Sequence, residues 1–203
     1  MKGIFITIEG PDGAGKTTQR ELLKEYLEKK GYDVLITRDP GGNPISEAIR
    51  EVILNKDFTE MGYMTELLLY ASARAQLVKE NIKPALDAGQ AVIADRFVDS
   101  SAVYQGIGVD TVYKVNEFAL QGIMPDMTFL MDLDAQEGIS RKKNQAELDR
   151  MENEKMEFHQ KVVDGYRMLA DMHTERIVKI DATLPIDEIH GIIVGYVEKK
   201  LNL

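Results

Sequence analysis

A chain of 203 residues, 44% apolar and 29% charged, has room for one α/β core of ordinary globular composition. It has no cysteine, which excludes disulfides, thiolate metal sites and cysteine nucleophiles, and its net charge of −9 argues against broad binding of nucleic acid, which needs clustered Lys and Arg. No apolar run approaches the length that crosses a bilayer, and Met1 to Thr7 lacks the basic region and cleavage site of a secretion signal, so a cytoplasmic location is the default expectation.

In chain order, the apolar and β-branched runs Ile4 to Ile8, Val34 to Thr37, Ala91 to Ala94, Thr128 to Leu133 and Ile177 to Ile180 predict strands buried on both faces. Helical periodicity lies between them. Leu22, Leu23, Tyr26 and Leu27 form one stripe, which Gly31 ends, and Ile45 to Leu54 forms a shorter helix. Glu66 to Leu86 predicts one long helix, apolar on more than one side and therefore packed on the sheet or on a second subunit. Thr111 to Leu120 is a further helix, stopped by Gly122 and Pro125, and Gly138 to Met151 is polar and basic. Met156 to Met172 carries Phe158, Val162, Val163, Tyr166 and Leu169 on one face, and Pro185 and Asp187 open a last helix running to about Lys200. Strands alternating with helices give a five-stranded, mostly parallel sheet with helices on both faces, in one domain over 1–203. Ligands of such sheets bind beyond the carboxyl ends of the strands.

The first strand ends in Gly10 Pro11 Asp12 Gly13 Ala14 Gly15 Lys16 Thr17 Thr18, which fits the GxxxxGK[ST] phosphate loop in its required context of strand, loop and helix. Glycines let backbone N–H groups converge on phosphate oxygens, and the following helix presents its positive end to the same charge. Lys16 then reaches the β- and γ-phosphates, while the Thr17 hydroxyl suits Mg²⁺. The loop speaks for a nucleoside triphosphate but not for its fate, since kinases, switches and motors share it.

The second and third strands bring Arg38 Asp39 Pro40 Gly41 Gly42 and Asp95 Arg96 Phe97 to the same rim, followed by Asp99, Ser100 and Ser101. Singly, each is a surface ion pair or a turn. Beside a phosphate loop, they supply the cations that a second anionic ligand needs, and phosphoryl transfer depends on positioning and on charge stabilisation. Arg96 is the candidate for a charge shared by two substrates, and Asp95 or Asp12 for orienting metal, water or hydroxyl.

The loop, together with Thr37 to Gly42, Arg50, Tyr70 to Arg74, Asp95, Arg96, Asp99 to Gly106, Pro125 Asp126 and Leu148 to Glu152, resembles the thymidylate kinase family over nearly the whole chain. That resemblance implies a P-loop NTPase fold and transfer of the γ-phosphoryl of ATP to dTMP, with Mg²⁺ as cofactor, for which Thr17 and Asp95 are the candidate ligands. It implies that Tyr70 stacks on thymine, Arg74 bonds the base, Ser101 and Gln105 read its polar edge, and Tyr104 crowds the sugar's 2′ carbon. Arg50 and Arg96 would hold the monophosphate, Asp12 would lie near the 3′-hydroxyl, and Asp39 would contact the acceptor's sugar or phosphate. Segment 138–152 corresponds to a lid. Because the loop itself holds no arginine, the stabilising cation is expected from Arg141, Lys143 or Arg150. Relatives of this kind are homodimers. A kinase preferring dUMP or a modified pyrimidine nucleotide, and a non-catalytic ATP-dependent binding module, are the alternatives. The chain departs from the family pattern at Asp39, Asn43, Tyr70 and Phe97.

Overall fold

The structure, a computed structural model, describes residues 3–105, 108–143, 150–151 and 154–202, without the side chains of 142 and 143. Five strands, β1 (Ile4–Glu9), β2 (Val34–Arg38), β3 (Ala91–Asp95), β4 (Met127–Asp132) and β5 (Ile177–Asp181), form one sheet in the order β2-β3-β1-β4-β5. Every pairing is parallel.

Alternation along β1 supplies both faces of the core. Ile4, Ile6 and Ile8 meet Leu23 and Leu27 of α1 (Lys16–Lys29) and Ile193 and Val197 of α9 (Ile186–Leu201), whereas Phe5 points the other way, to Leu77, Ile82 and Phe97. Full burial of each such side chain contributes roughly 1.5–3 kcal/mol. A third cluster packs Val162, Tyr166 and Leu169 of α8 (Met156–Met172) on Leu130 of β4. The edge strands depart from the expectation of burial on both faces: β2 and β5 are only partly covered, because each has one neighbouring strand and fewer helices over it.

The long helix expected over Glu66 to Leu86 is interrupted. α3 (Tyr63–Leu77) passes through a π-helical turn, Val78–Ile82, into α4 (Lys83–Asp87). Pro84 accounts for the turn, since its ring would strike the carbonyl four residues back and it has no N–H to give; widening the helix there accommodates it. The remaining segments are α2 (Pro44–Leu54), whose N-cap Asn43 accepts from the Ser46 N–H at 2.9 Å, α5 (Val98–Tyr104), α6 (Val109–Leu120) and α7 (Ala135–Lys143). α5 is too short and too polar to announce itself by periodicity.

Register sets the rim. Ile8 and Arg38 both pair with Asp95, so the ends of β1, β2 and β3 stand at one level. After β1 the chain runs to β2 on one side of the sheet, and after β3 it crosses β1 to β4 on the other, so the crevice beyond the carboxyl ends of β1 and β3 is where the parallel sheet opens.

Candidate active site

The phosphate loop is built by positive-φ glycines. Gly10 has φ 136° and a Cβ there would lie 2.5 Å from the Met131 carbonyl oxygen; at Gly13, φ 78°, it would lie 2.3 Å from that of Gly138. Gly15, φ 82°, caps α1 without a side chain, leaving the helix N–H groups to face the cleft. Ala14 is buried, while Thr17 and Thr18 are exposed on the first turn. Lys16 is buried and donates to the carbonyls of Gly10, at 3.2 Å, and Pro11, at 2.9 Å; burial, followed by the nearby Arg96 charge, lowers its pKa.

A cleft of about 590 Å³ runs from this loop to α2, α3 and α5. Asp12, Lys16, Thr17, Asp39, Arg50, Tyr70, Arg74, Asp95, Arg96, Ser101, Tyr104 and Gln105 all line it, so the residues singled out from the three strand ends do share one space.

Arg96 sits at its centre, in the left-handed region at φ 66°. That conformation is strained for a non-glycine residue and is held by its N–H on the Ile8 carbonyl, 3.1 Å, and by its guanidinium. Nη1 donates to the Gly10 carbonyl and the Tyr166 hydroxyl, each at 2.9 Å, and Nη2 to Asp12 Oδ1 at 2.7 Å. Its Cζ lies 5.0 Å from the centre of the Tyr104 ring.

Behind it lies a polar network that periodicity did not reveal. Glu9, 1% exposed, accepts from the Phe97 N–H at 2.7 Å, from Ser100 Oγ at 2.6 Å and from the Tyr166 hydroxyl at 3.0 Å. Burial, then the Asp99 charge, pushes Glu9 up to about 7. Asp99 in turn is held by Arg176 at 2.6 and 3.0 Å and by the Tyr113 hydroxyl at 2.7 Å. The available signal is Glu9 itself, the one charge on a buried strand, just before the loop; the spacing of Tyr166 shows only an apolar face.

Two of the cleft residues are held chiefly by the protein itself. Arg74, expected to bond a base, is 1% exposed and largely engaged: Nε donates to Asp39 at 2.5 Å, Nη1 to Asn116, and Nη2 to Ser101 Oγ at 2.8 Å. Asp39, expected at the acceptor's sugar or phosphate, is buried against Arg74, with Oδ1 lacking a hydrogen-bond partner among the described residues. Arg50 donates to the Pro40 carbonyl at 3.1 Å and remains half-buried at the cleft wall.

Neither lid arginine lines the cleft. Arg141 pairs with Glu137 at 3.0 Å and donates to the Ala182 carbonyl at 3.2 Å, beside the loop between β5 and α9. Arg150 donates to the Ile53 carbonyl at 2.9 Å and pairs with Glu66, so it is held at the end of α2 and the first turns of α3. The expectations placed on Gly106, on the side chain of Lys143, on 144–149 and on Glu152 lie outside the described residues.

As a metal site, the cleft fits Mg²⁺. Thr17 offers a hydroxyl and Asp95 a half-buried carboxylate, which suits an ion that takes one or two protein oxygens and draws the rest from phosphate and water. Among the described residues no cluster of three or more His, Cys, Asp or Glu side chains offers a complete protein cage.

A phosphate loop facing an acceptor-sized cleft, with an arginine between them, defines a phosphotransferase of the P-loop class. The family model described as thymidylate kinase matches residues 8–193. Thymidylate kinase of Geobacillus thermodenitrificans is 49% identical over 208 aligned positions, covering 100% of this chain and 92% of that one, and that of Clostridium novyi is 44% identical, covering 97% and 99%. A crystal structure of thymidylate kinase from Ehrlichia chaffeensis superposes with a TM-score of 0.79 at 31% identity, covering 98% of this chain and 99% of that one. The chain belongs to the thymidylate kinase family.

Proposed function

We propose that the protein transfers the γ-phosphoryl group of ATP to dTMP, giving ADP and dTDP. The observation that carries this reading is the position of Arg96, between the phosphate loop through Gly10 and Asp12 and the cleft walled by Tyr70, Ser101 and Gln105.

ATP lies with its β- and γ-phosphates on the loop N–H groups and Lys16. dTMP lies opposite, its base against Tyr70 and beside Gln105, its phosphate between Arg50 and Arg96, and its sugar under Tyr104 and near Asp12. An oxygen of that phosphate attacks the γ-phosphorus in line, the bond to the oxygen bridging to the β-phosphorus breaks, and that oxygen leaves on ADP. Arg96 touches both anions at once, which is where charge accumulates. Mg²⁺ held by Thr17 and Asp95 would neutralise the β- and γ-phosphate oxygens. Segment 138–152 serves as the lid of a single domain, and Arg141 and Arg150 exchange their present partners for phosphate as it closes, excluding water as a competing acceptor.

Tyr63, Met64 and Leu68 of α3 and Phe118 of α6 are exposed, on two helices that pack together, and support a homodimer built on that face. Phe118→Asp with Leu68→Asp should convert a dimer to a monomer by sedimentation. Among the described residues no helix is long and apolar enough to cross a membrane, and we place the enzyme in the cytoplasm, where ATP is supplied.

The deciding experiment measures dTMP, dUMP, dCMP and dGMP as acceptors at one ATP concentration, following nucleoside diphosphate directly. dTMP should be preferred. ATP hydrolysis without any phosphorylated acceptor would identify a binding module instead.

A further inference from the structure

Gln105 caps the end of α5 at the cleft, 1% exposed. Its two amide atoms are in different situations. Nε2 donates to Glu66 Oε1 at 2.9 Å, whereas Oε1 is buried without a hydrogen-bond partner among the described residues. Glu66 is itself 4% exposed, and its second oxygen is taken by Arg150.

A carboxylate accepts and does not donate. Turning the Gln105 amide over would set oxygen against oxygen at Glu66 and leave both unpaired in a buried place, so the orientation is fixed by chemistry as well as by packing. The atom that Gln105 keeps for a ligand is therefore an acceptor. A buried acceptor without a partner is uncommon in a native fold, and a base that brings an N–H satisfies it. Across the same cleft stands Arg74, a group with donors only.

We infer that Glu66 is a positioning residue for base selection: by locking the Gln105 amide it presents an acceptor, which matches the N3–H of a keto pyrimidine and meets the lone pair of cytosine N3 with repulsion. This rests on the proposed reading of the cleft as a deoxynucleoside monophosphate site. A site built to pair with an N–H rejects the analogue that lacks it strongly, because both partners are left unsatisfied. The second contact of Glu66, to Arg150, joins this selection to the lid segment.

The test compares kcat/KM for dTMP and dCMP at saturating ATP in the wild type, Glu66→Gln, Glu66→Asp and Arg150→Met. Glutamine at position 66 donates as readily as it accepts, so the Gln105 amide pairs in either orientation. The dTMP-to-dCMP ratio should contract about tenfold or more in Glu66→Gln. In Glu66→Asp it should stay within a few-fold of wild type, and Arg150→Met should slow both nucleotides in proportion. A folded Glu66→Gln enzyme that keeps the wild-type ratio overturns the inference, since a merely structural Glu66 would lower both substrates together. If Glu66→Gln melts below assay temperature, proton NMR of the wild type with bound dTMP decides: a slowly exchanging base imino proton in contact with Gln105 supports it, and one exchanging as in free dTMP refutes it. Wild type that converts dCMP as fast as dTMP would sink the substrate reading itself, before any variant is compared.

Discussion

Arg96 Nη2 and Asp12 Oδ1 lie 2.7 Å apart, joining the segment after β3 to the phosphate loop after β1 across the mouth of the cleft. The pair is only partly exposed, and the same guanidinium also reaches Gly10 and Tyr166, so its geometry is set from three directions. Only a planar fork of donors meets all three. Arg96→Lys should therefore behave nearly as Arg96→Ala, each lowering kcat for dTMP by about 10²–10³-fold, the scale of a lost transition-state donor. Steady-state kinetics check this; a Lys variant within a few-fold of wild type would mean that point charge suffices.

The Arg74–Asp39 pair is buried, with side chains 1% and 0% exposed, and it ties α3 to the end of β2. Removing one partner strands the other charge away from water, at a cost of about 3–5 kcal/mol. Arg74→Ala should thus unfold at markedly lower urea, and Arg74→Met with Asp39→Leu should recover part of the loss. This separates Arg74 from Arg50, half-buried at the cleft wall, whose substitution to Met should weaken dTMP binding and shift the urea midpoint little. Denaturation midpoints of the variants give the comparison.

Glu9 makes stability depend on pH in an unusual direction. Its carboxyl titrates near 7 in the folded chain against an ordinary value of 4.5, so between those values the folded state holds the proton and the unfolded state has lost it. Stability contributed by the protonated form is complete below about pH 4.5 and is lost as pH rises through about 7, by something of order 1–3 kcal/mol. Around it stand the Phe97 N–H, Ser100, Tyr166, Arg96 and Asp99. Glu9→Gln removes the titration, so the difference in unfolding free energy between variant and wild type should grow in the variant's favour from pH 5 to pH 8. A flat difference across that range would refute the assignment.

The sheet and the phosphate loop were legible because each rests on a local rule: apolar runs of β-branched residues for the strands, and glycines at fixed spacing before Lys16 and Thr17 for the loop. What could not be read depends on distant pairings. Tyr166 has the apolar spacing of a core residue, and nothing in its neighbours says that its hydroxyl meets Glu9, 157 positions away. Arg74 and Tyr70 were placed at the cleft by resemblance alone, and the engagement of Arg74 with Asn116 and Asp39 emerges only once α6 and the end of β2 are packed on α3. The break at Val78–Ile82 was local, written in Pro84, yet it was masked by apolar residues that continue straight through it.

The phosphate loop rests on α7 through two glycines. A Cβ on Gly138 would fall 2.5 Å from the Asp12 carbonyl oxygen, and one on Gly13 would fall 2.3 Å from that of Gly138. Position 138 lies inside a helix, where alanine is otherwise favoured over glycine by about 1 kcal/mol. Overpacking against backbone costs about 1–3 kcal/mol, and a backbone carbonyl cannot swing aside as a side-chain end can, so the clash outweighs the propensity. Gly138→Ala should push α7 off the loop and raise the KM for ATP several-fold, with a smaller effect on the affinity for dTMP, because Asp12 meets α7 through its backbone carbonyl while its carboxylate stays on Arg96. Kinetics with each nucleotide varied in turn would show it, and an equal change in both constants would place the effect in the fold at large.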